Sequence, residues 1–466
     1  MLSKLQEHLQ PRHLGLIGLC LLALAYLSLF RYDNYGIEEG AALALLINWS
    51  IVHQIASPVA FFGVPDLRAI FFVPLDMYWA GSLIAVKVFT MYILFGTALM
   101  MYRWSEEVHS GESSMMATVL LLLAPITLMQ TDAIGSGIYL LFCFVVTGWL
   151  DQAIHDSDEA IPSWFFLLIL IAALATSMHP MGLAVPLTIA LKWWLNPGAN
   201  NKGRRIIVSM AILTGVILFV RWGWYGMDAA SANPLSILSD SILGSDLLRD
   251  ADWRAGMLIG GLLLAVIGVH VYRRLQDTVS IMLIAASLIG FLHADHAWVL
   301  IAWATLLYLG IPFAIEMNQR FGKSGLAAKR GAVLSMIVIL ATISMVHTRQ
   351  IGVIAKTHLK SPTDNIIAVL AHDAEKTDTP FLAASQWPAR TLLVCRRDVL
   401  PLPPAKDDTA AFRRQTRGLT HIAFNPQLED MHALSRNAAS LSDIFETIAL
   451  LPGGVVLKAK ADGKAG

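Results

Sequence analysis

The sequence predicts an α-helical multi-pass membrane protein that ends in a small α/β domain. Of its 466 residues, 56% are hydrophobic and only 15% are charged, whereas a soluble chain of this length would expose far more charge. The mean hydropathy is +0.60, and the 13 Trp and 10 Tyr residues suit the aromatic belts at the two surfaces of a bilayer. Only the residues after about 356 depart from this apolar pattern.

A transmembrane helix needs roughly 20 apolar residues, and eleven apolar runs of the sequence come close to that length. The first run lacks a small-residue cleavage site and is preceded by Lys4 and Arg12, so we expect a retained helix rather than a cleaved signal peptide. Several runs are only a few residues apart, which predicts tight hairpins. The expected spans are 13–30, 83–102, 115–130, 134–150, 162–178, 180–195, 206–222, 255–272, 278–293, 297–316 and 332–348.

The distribution of Lys and Arg residues predicts the orientation of the chain. With the N-terminus in the cytoplasm, the inner segments carry twelve of these cations and the outer loops before the last span carry about five. Because cytoplasmic loops are enriched in positive charge, this bias favours an odd number of spans. Residues 1–350 would then form the membrane domain, and residues 351–466 would form a domain on the outer side.

Two of the expected outer loops are long. The loop 31–82 is too apolar to be solvated: "EEGAALALLINWSIVHQI" predicts an amphipathic helix lying in the membrane interface. "PDLRAIFFVPLDMYW" predicts a second such segment, or a re-entrant one. The loop 223–253 begins with "GWYGMD" and carries five Asp residues. Its Trp224 and Tyr225 suit either stacking against a sugar or an aromatic belt.

The C-terminal segment shows the short alternating patterns of an α/β domain. "PFLAAS", "THIAFN" and "GVVLKA" predict strands. "DTAAFRRQTRG" and "QLEDMHALSRNAASLSDIFETIALL" predict helices.

Composition and motifs exclude several classes of function. The net charge is zero, so there is no bulk electrostatic attraction to nucleic acid. No Gly-rich phosphate-binding loop is present, so a nucleotide cofactor is not expected. Cys20, Cys143 and Cys395 are far apart and two lie in apolar runs. They support neither a disulfide framework nor a zinc cluster.

Ionisable residues gather on the outer side of the predicted membrane domain. Such residues are costly at membrane depth, so each is a functional candidate; the alternative is an interfacial side chain wetted by headgroups and water. Glu38 and Glu39 follow the first span, Asp132 lies at the outer turn between spans three and four, and His179 lies at the next outer turn, before Pro180, where a histidine is more often a turn residue than a ligand.

The outer turn "HADHAW" supplies His293, Asp295 and His296. A divalent metal is conceivable at these three residues, but a fourth ligand is lacking, so no metal site is assigned. They remain candidates for contact with substrate.

Arg31, Arg68 and Arg221 are the cations expected beside these acids, and Asp33 follows the first of them closely. A carboxylate held ionised near such cations is suited to general-base work on a hydroxyl group. The same guanidinium groups would bind a phosphate through paired hydrogen bonds. A base and a phosphate clamp at a membrane surface are what transfer from a lipid phosphate requires.

Several of these segments together resemble the GT-C glycosyltransferases, especially the branch of protein O-mannosyltransferases and lipid A aminoarabinose transferases. "IEEGAALALLINWS" is similar to the family's acidic pair at the head of the first outer loop, with Glu38 where Asp is usual. "LLAPITLMQTDAIGSGIYLLFCFVV" resembles the third and fourth helices, where a second outer acid stands near Asp132. "LATSMHPMGLAVPL" is similar to the family's T-H-x-x-G turn. The likeness covers nearly the whole chain, although the first loop has "VPDLRAIFFVP" where relatives often have H-P-P.

The resemblance implies an inverting glycosyltransferase in the inner membrane of a bacterium, with its C-terminal domain in the periplasm. The donor would be a polyprenyl-phosphate sugar and the acceptor a hydroxyl group of a glycan, lipid or protein. Glu38, or Glu39 if the register differs by one, would be the base, and Asp132 would orient the acceptor or share that role. Arg31, Arg68 or Arg221 would meet the charge of the leaving phosphate.

A lipid or solute transporter, or a non-catalytic membrane subunit, is the alternative. Transporters tend to carry charges at mid-membrane in paired halves. In this sequence the charged residues stand at the outer ends of the spans and no two halves match, which favours the enzyme.

Overall fold

The computed structural model describes most of the helical core and of the C-terminal domain. The residues described are 11–32, 35–53, 66–79, 81–157, 163–195, 206–215 except 207 and 213, 277–291, 296–312, 315, 362–376, 380–403, 409–426, 436, 442–451 and 454–460. The expected spans 255–272 and 332–348, and the outer loop 223–253, lie outside them.

The membrane domain is built from packed apolar helices. Their order is α1 (Pro11–Leu29), α2 (Glu39–His53), α3 (Ala69–Tyr78), α4 (Leu83–Val108), α5 (Gly111–Leu123), α6 (Pro125–Asp132), α7 (Ser136–Asp156), α8 (Ser163–Met178), a 3-10 turn (Pro180–Leu183), α9 (Ala184–Leu195), α10 (Thr278–Phe291), α11 (His296–Thr305) and a π-helical turn (Leu306–Gly310).

Among the described residues, α4 and α7 are long and apolar enough to cross a membrane by themselves. The Ser82 side chain caps α4 by accepting a hydrogen bond from the Ala85 N–H. The predicted single span 115–130 is instead two helices, α5 and α6, which meet at an angle of 54°. Pro125 explains the break, because it starts α6 and its ring cannot continue the hydrogen bonding of α5.

The first outer loop folds into α2 and α3, in the two places that the apolar pattern indicated. The expectation that α2 is amphipathic is wrong, because its described side chains are buried or half-buried on every face; its expected place in the membrane interface stays a prediction. Ala41, Ala42 and Ala44 are fully buried, and Leu46 and Asn48 are nearly so. Small side chains let α3 approach α2 from one side and the C-terminal domain from the other.

The C-terminal domain contains a five-stranded mixed sheet with helices packed on it. Its strand order is β2-β1-β3-β5-β4, in which β1 runs parallel to β2 and β3, and β5 runs antiparallel to β3 and β4. In chain order the elements are α12 (Pro362–Lys376), β1 (Leu382–Ser385), α13 (Pro388–Cys395), β2 (Asp398–Pro401), α14 (Thr409–Gln415), β3 (His421–Phe424), β4 (Phe445–Leu451) and β5 (Gly454–Ala459).

The three predicted strands and the helix α14 are confirmed, and one predicted helix is wrong at its C-terminal end. "FETIALL" forms β4 rather than the last turns of a helix. It pairs antiparallel with β5, with an irregularity between Thr447 and Ala449. The residues 427–441 lie almost wholly outside the described part of the chain.

Candidate functional site

The Glu38 carboxylate lies where the first outer loop meets the N-terminus of α7. Its Oε2 accepts a hydrogen bond from the Ser136 N–H at 2.7 Å, and its Oε1 accepts one from the Ser136 hydroxyl at 3.0 Å. The Glu38 N–H donates to the Ala133 carbonyl at 3.0 Å. Residues from distant parts of the sequence therefore fix both the backbone and the side chain of Glu38, and the start of α7 favours a negative charge at this position.

The turn that connects α6 to α7 makes these contacts possible. Ile134 has a φ of 56°, a left-handed conformation that β-branched residues rarely adopt. The carbonyl of this residue accepts a hydrogen bond from the Arg68 guanidinium at 2.8 Å. Backbone strain of this kind concentrates at functional sites, and here it directs one carbonyl at Arg68 and one N–H at Glu38.

Arg68 joins Glu38 to a second acid and is itself fully buried. Its Nε and NH2 donate to Oδ2 of Asp66 at 2.8 and 2.6 Å. Its NH1 lies 3.4 Å from Oε2 of Glu38. Gly40 leaves room for this arrangement, because a Cβ at that position would lie 2.7 Å from the Arg68 NH2.

Asp132 is the last residue of α6, and it is bound by a lysine from inside α4. The Lys87 ammonium group donates to the Asp132 carboxylate at 2.6 Å and to the Arg31 carbonyl at 2.7 Å. The same carboxylate oxygen accepts the Arg31 N–H at 2.9 Å. The Lys87 side chain is almost fully buried, whereas that of Asp132 is partly exposed.

Glu39 points to the C-terminal domain rather than to the group formed by Glu38, Arg68 and Asp66, which we call the Glu38 cluster. Its carboxylate accepts hydrogen bonds from the backbone N–H groups of Ala389 and Arg390, at 2.7 and 3.2 Å. These are donors in the first turn of α13, which Trp387 and Pro388 begin. Burial raises the pKa of Glu39 to about 7, against the opposing effect of these N–H groups and of Arg390.

Arg31 also reaches the C-terminal domain. Its guanidinium lies 3.7 Å from the carboxylate of Asp364, a buried residue in the first turn of α12. Asp364 further accepts from the Arg390 guanidinium at 2.6 Å and from the Gly36 N–H at 3.2 Å. Gly36 has a φ of +77°, and a Cβ there would collide with the Arg31 side chain.

The structure thus brings Glu38, Arg68, Asp132 and Arg31 to one end of the membrane domain. His179 is buried at the end of α8, and its Nδ1 accepts the Met181 N–H at 3.1 Å as the cap of the 3-10 turn. His296 begins α11. The remaining candidates lie outside the described residues: Asp33, Arg221, Trp224, Tyr225, His293 and Asp295.

No group of three or more metal-binding side chains occurs in the described parts of the chain. The prediction about "HADHAW" is not tested, because most of that turn lies outside them.

Sequence reasoning did not identify Asp66, Lys87, Ser136 or Asp364 as parts of this assembly. Lys87 had a usable signal, because a lysine inside the apolar run "LIAVKVFTM" must find a partner at membrane depth. Asp66 and Arg68 likewise form a charged pair within an apolar stretch. Ser136 and Asp364 are unremarkable in sequence, and only the packing of distant segments gives them partners.

No protein-family model and no curated protein matches the sequence, but solved structures share its fold. ArnT from Cupriavidus metallidurans bound to undecaprenyl phosphate is 10% identical, with a TM-score of 0.56 over 98% of this chain and 100% of that chain. The apo state of the same protein is 12% identical, with a TM-score of 0.54 over 97% and 98%.

The Archaeoglobus fulgidus oligosaccharyltransferase tethered with an acceptor peptide is 9% identical, with a TM-score of 0.52 over 97% of this chain and 74% of that chain. These proteins are membrane glycosyltransferases of the GT-C fold. Identities this low show the fold and leave the activity to be argued from the site. The chain therefore has the GT-C fold that these proteins share, as its sequence predicted.

Proposed function

We propose that the protein is an inverting glycosyltransferase that moves a monosaccharide from a polyprenyl-phosphate donor to an acceptor hydroxyl group. The supporting observation is the position of Glu38: its side chain is 31% exposed, whereas the Arg68 side chain that contacts it is fully buried. Glu38 is therefore the member of this cluster that a substrate can reach. The fold adds support, since one similar structure is of ArnT bound to undecaprenyl phosphate.

In this proposal Glu38 is the general base. The acceptor hydroxyl group transfers its proton to the carboxylate, and its oxygen attacks the anomeric carbon of the donor. The bond between that carbon and the phosphate oxygen breaks, so the polyprenyl phosphate leaves with the bonding electron pair. Attack from the face opposite the phosphate inverts the configuration at the anomeric carbon.

Arg68 acts in this scheme as a positioning residue and not as the phosphate clamp. A guanidinium that is fully buried and bound twice to Asp66 would have to leave that partner to reach a phosphate. Breaking a buried ion pair is costly, typically about 3–5 kcal/mol. We therefore assign the leaving phosphate to Arg31 or Arg221, and we assign to Arg68 the orientation of Glu38.

In this proposal Asp132 orients either the acceptor or the first outer loop. Lys87, from within α4, neutralises the charge of Asp132, so the pair can lie near lipid without leaving an isolated buried ion. The Asp132 carboxylate also accepts the Arg31 N–H, which fixes the start of the first outer loop. Glu38 lies on this loop. We place the enzyme in a bacterial inner membrane, with the N-terminus cytoplasmic and the site periplasmic.

Lipid analysis of a deletion strain tests this function. We expect the strain to accumulate a polyprenyl-phosphate sugar and to lack one glycan, lipid or protein modification of its envelope. The wild-type gene should reverse both changes, whereas a stably inserted Glu38→Gln variant should reverse neither. An unchanged lipid profile together with impaired uptake or export of a solute would favour the transporter alternative.

A further inference from the structure

A cavity lies between the membrane domain and the C-terminal domain. Its empty volume is about 420 Å³ when the space that is open to solvent is included. Its walls come from α2, α3, the turn before α4 and the end of α13. The residues that carry the argument are Asn48 and Trp49 of α2, Asp76 and Trp79 at the end of α3, and Arg396 directly after α13.

Asn48 places an amide in this otherwise largely apolar cavity. The residue is only 2% exposed, and its Oδ1 has no hydrogen-bond partner among the described residues. A buried amide without a partner destabilises the folded state unless something in the cavity bonds to it. A hydrophobic residue of similar size would serve the packing of α2 better, so the amide indicates a polar ligand group.

Arg396 supplies a cation at the same cavity. Its guanidinium lies 4.5 Å from the centre of the Trp49 ring, and it makes no ion pair within the part of the chain that the structure describes. Its φ of 54° is left-handed, at a helix end where glycine is the usual residue. An arginine held in an unfavourable backbone conformation, over an aromatic ring and without an acidic partner, is suited to a phosphate.

Asp76 supplies an anion on the opposite domain. Its carboxylate lines the cavity and accepts the Gly81 N–H at 2.7 Å. Tyr78 and Trp79, which follow it, are strongly exposed, as expected of side chains at a membrane interface. The cavity thus combines a cation, an anion and an amide beside exposed aromatic side chains.

We propose that this cavity binds a zwitterionic phospholipid of the ethanolamine type. Its phosphate would bind Arg396, and its ammonium group would bind Asp76 and the Asn48 carbonyl oxygen. The lipid would bridge the two domains, because Arg396 belongs to the C-terminal domain and Asp76 to α3. The site differs from the Glu38 cluster: Asp76 is eight residues beyond Arg68, or about 12 Å along a helix. It does not depend on the glycosyltransferase activity proposed above.

Thermal unfolding of the purified protein in nonionic detergent tests this proposal. The probes are dihexanoyl phosphatidylethanolamine and, for comparison, dihexanoyl phosphatidylglycerol, which has a phosphate but no ammonium group. The ethanolamine lipid should raise the Tm by a few degrees in a saturable manner, because a ligand that binds only the folded state stabilises it. The glycerol lipid should raise it much less.

Two variants separate binding from folding. Asn48→Leu removes a buried amide without a partner, and Arg396→Gly removes a side chain from a left-handed position. Without lipid, both should unfold at the wild-type Tm or above it. Both should lose the response to the ethanolamine lipid. Arg397→Gln removes an equal charge from the exposed neighbouring residue and should keep that response.

Three outcomes would overturn the proposal. Equal responses to the two lipids would mean that the ammonium group is not recognised. A response that survives in both Asn48→Leu and Arg396→Gly would place the lipid elsewhere. Displacement of the lipid by undecaprenyl phosphate would make the cavity part of a donor site instead.

Discussion

At the scale of single residues, Glu38 and Glu39 show how adjacent acids acquire different tasks. Successive residues at a helix start point about 100° apart. The Glu38 carboxylate accordingly meets Ser136 and Arg68, and the Glu39 carboxylate meets the backbone of α13. The sequence left open which of the two was the base. In the proposed mechanism we assign the base to Glu38, because the Glu39 carboxylate is bound to the C-terminal domain.

Gly40 tests how closely Arg68 must approach α2. Gly40→Ala would place a Cβ 2.7 Å from the Arg68 NH2, which is bound to Asp66, so the Asp66–Arg68 pair must shift and its contact with Glu38 is disturbed. We expect turnover to fall at least about tenfold, which corresponds to about 1.4 kcal/mol of barrier, with donor binding changed much less.

Gly96→Ala is the matched control for this substitution. Gly96 is an exposed helical residue of α4 with nothing within 4 Å of a new Cβ. Alanine is the better helix former by roughly 1 kcal/mol, so this variant should keep full activity. Equal activity of the two variants would show that the contact between Arg68 and Glu38 does not matter.

At the scale of elements, the N-terminus of α13 is where the membrane domain holds the C-terminal domain. Two effects compete at Glu39: a carboxylate is a good partner for the N–H groups of a helix start, but burial penalises its charge. Because the folded-state pKa, about 7, is above the ordinary value for a glutamate, the folded protein binds this proton more tightly than the unfolded chain. The contribution of Glu39 to stability is therefore complete at low pH and is lost as pH rises through about 7.

Glu39→Gln should separate these two effects. The amide cannot ionise, so the Tm of the variant should be close to that of the wild type at pH 5 and higher at pH 8. Thermal unfolding of both proteins across this range provides the measurement. A Gln variant that is less stable than the wild type at pH 8 would show that the capping effect of the charge outweighs its burial.

Asp364 provides a second link between the first loop and the C-terminal domain. Its buried carboxylate accepts from Arg390 and lies near Arg31. Asp364→Asn would leave buried guanidinium charge uncompensated, and we expect a loss of about 3–5 kcal/mol of stability. Asp443→Asn breaks an ion pair with Arg413 in which both side chains are more than half exposed. It should cost no more than about 1 kcal/mol, and equal melting temperatures for the two variants would contradict this view of the interface.

At the scale of the whole molecule, the sequence predicts the helices and strands whose formation depends on local residue pattern. Apolar run lengths located α4 and α7, and alternation located the strands β1, β3 and β5. The break between α5 and α6 has a visible cause in Pro125, but hydropathy alone averages over it. β4 was mistaken for a helix because its stability comes from pairing with β5, which is a tertiary effect.

The candidate site depends on contacts between distant residues, so only part of it is visible in the sequence. The position of Glu38 and Asp132 near the ends of apolar runs is sufficient to select them as candidates. Their partners Ser136 and Lys87 are 98 and 45 residues away from them, respectively. The left-handed conformation of Ile134, which aims a carbonyl at Arg68, has no signature in its residue type.

The excess of Lys and Arg residues in the expected inner segments predicts the orientation of the whole chain, with the C-terminal domain in the periplasm. A reporter that is active only in the periplasm should be active when fused after residue 466, since the C-terminal domain contacts Glu39 and must lie on the same side. A reporter fused before residue 11 should be inactive. Activity of a cytoplasmic reporter at the C-terminus would overturn both the topology and the periplasmic location of the site.

The turnover of Glu38→Gln in reconstituted protein, with polyprenyl-phosphate sugars as donors, tests the central claim most directly. The substitution preserves shape but removes the proton acceptor, so the rate should fall about 10²–10⁴-fold while donor affinity changes little. Glu39→Gln, which alters the adjacent residue, should retain most of the activity. A stable, inserted Glu38→Gln protein that turns over at nearly the wild-type rate would contradict the assignment of Glu38 as the base.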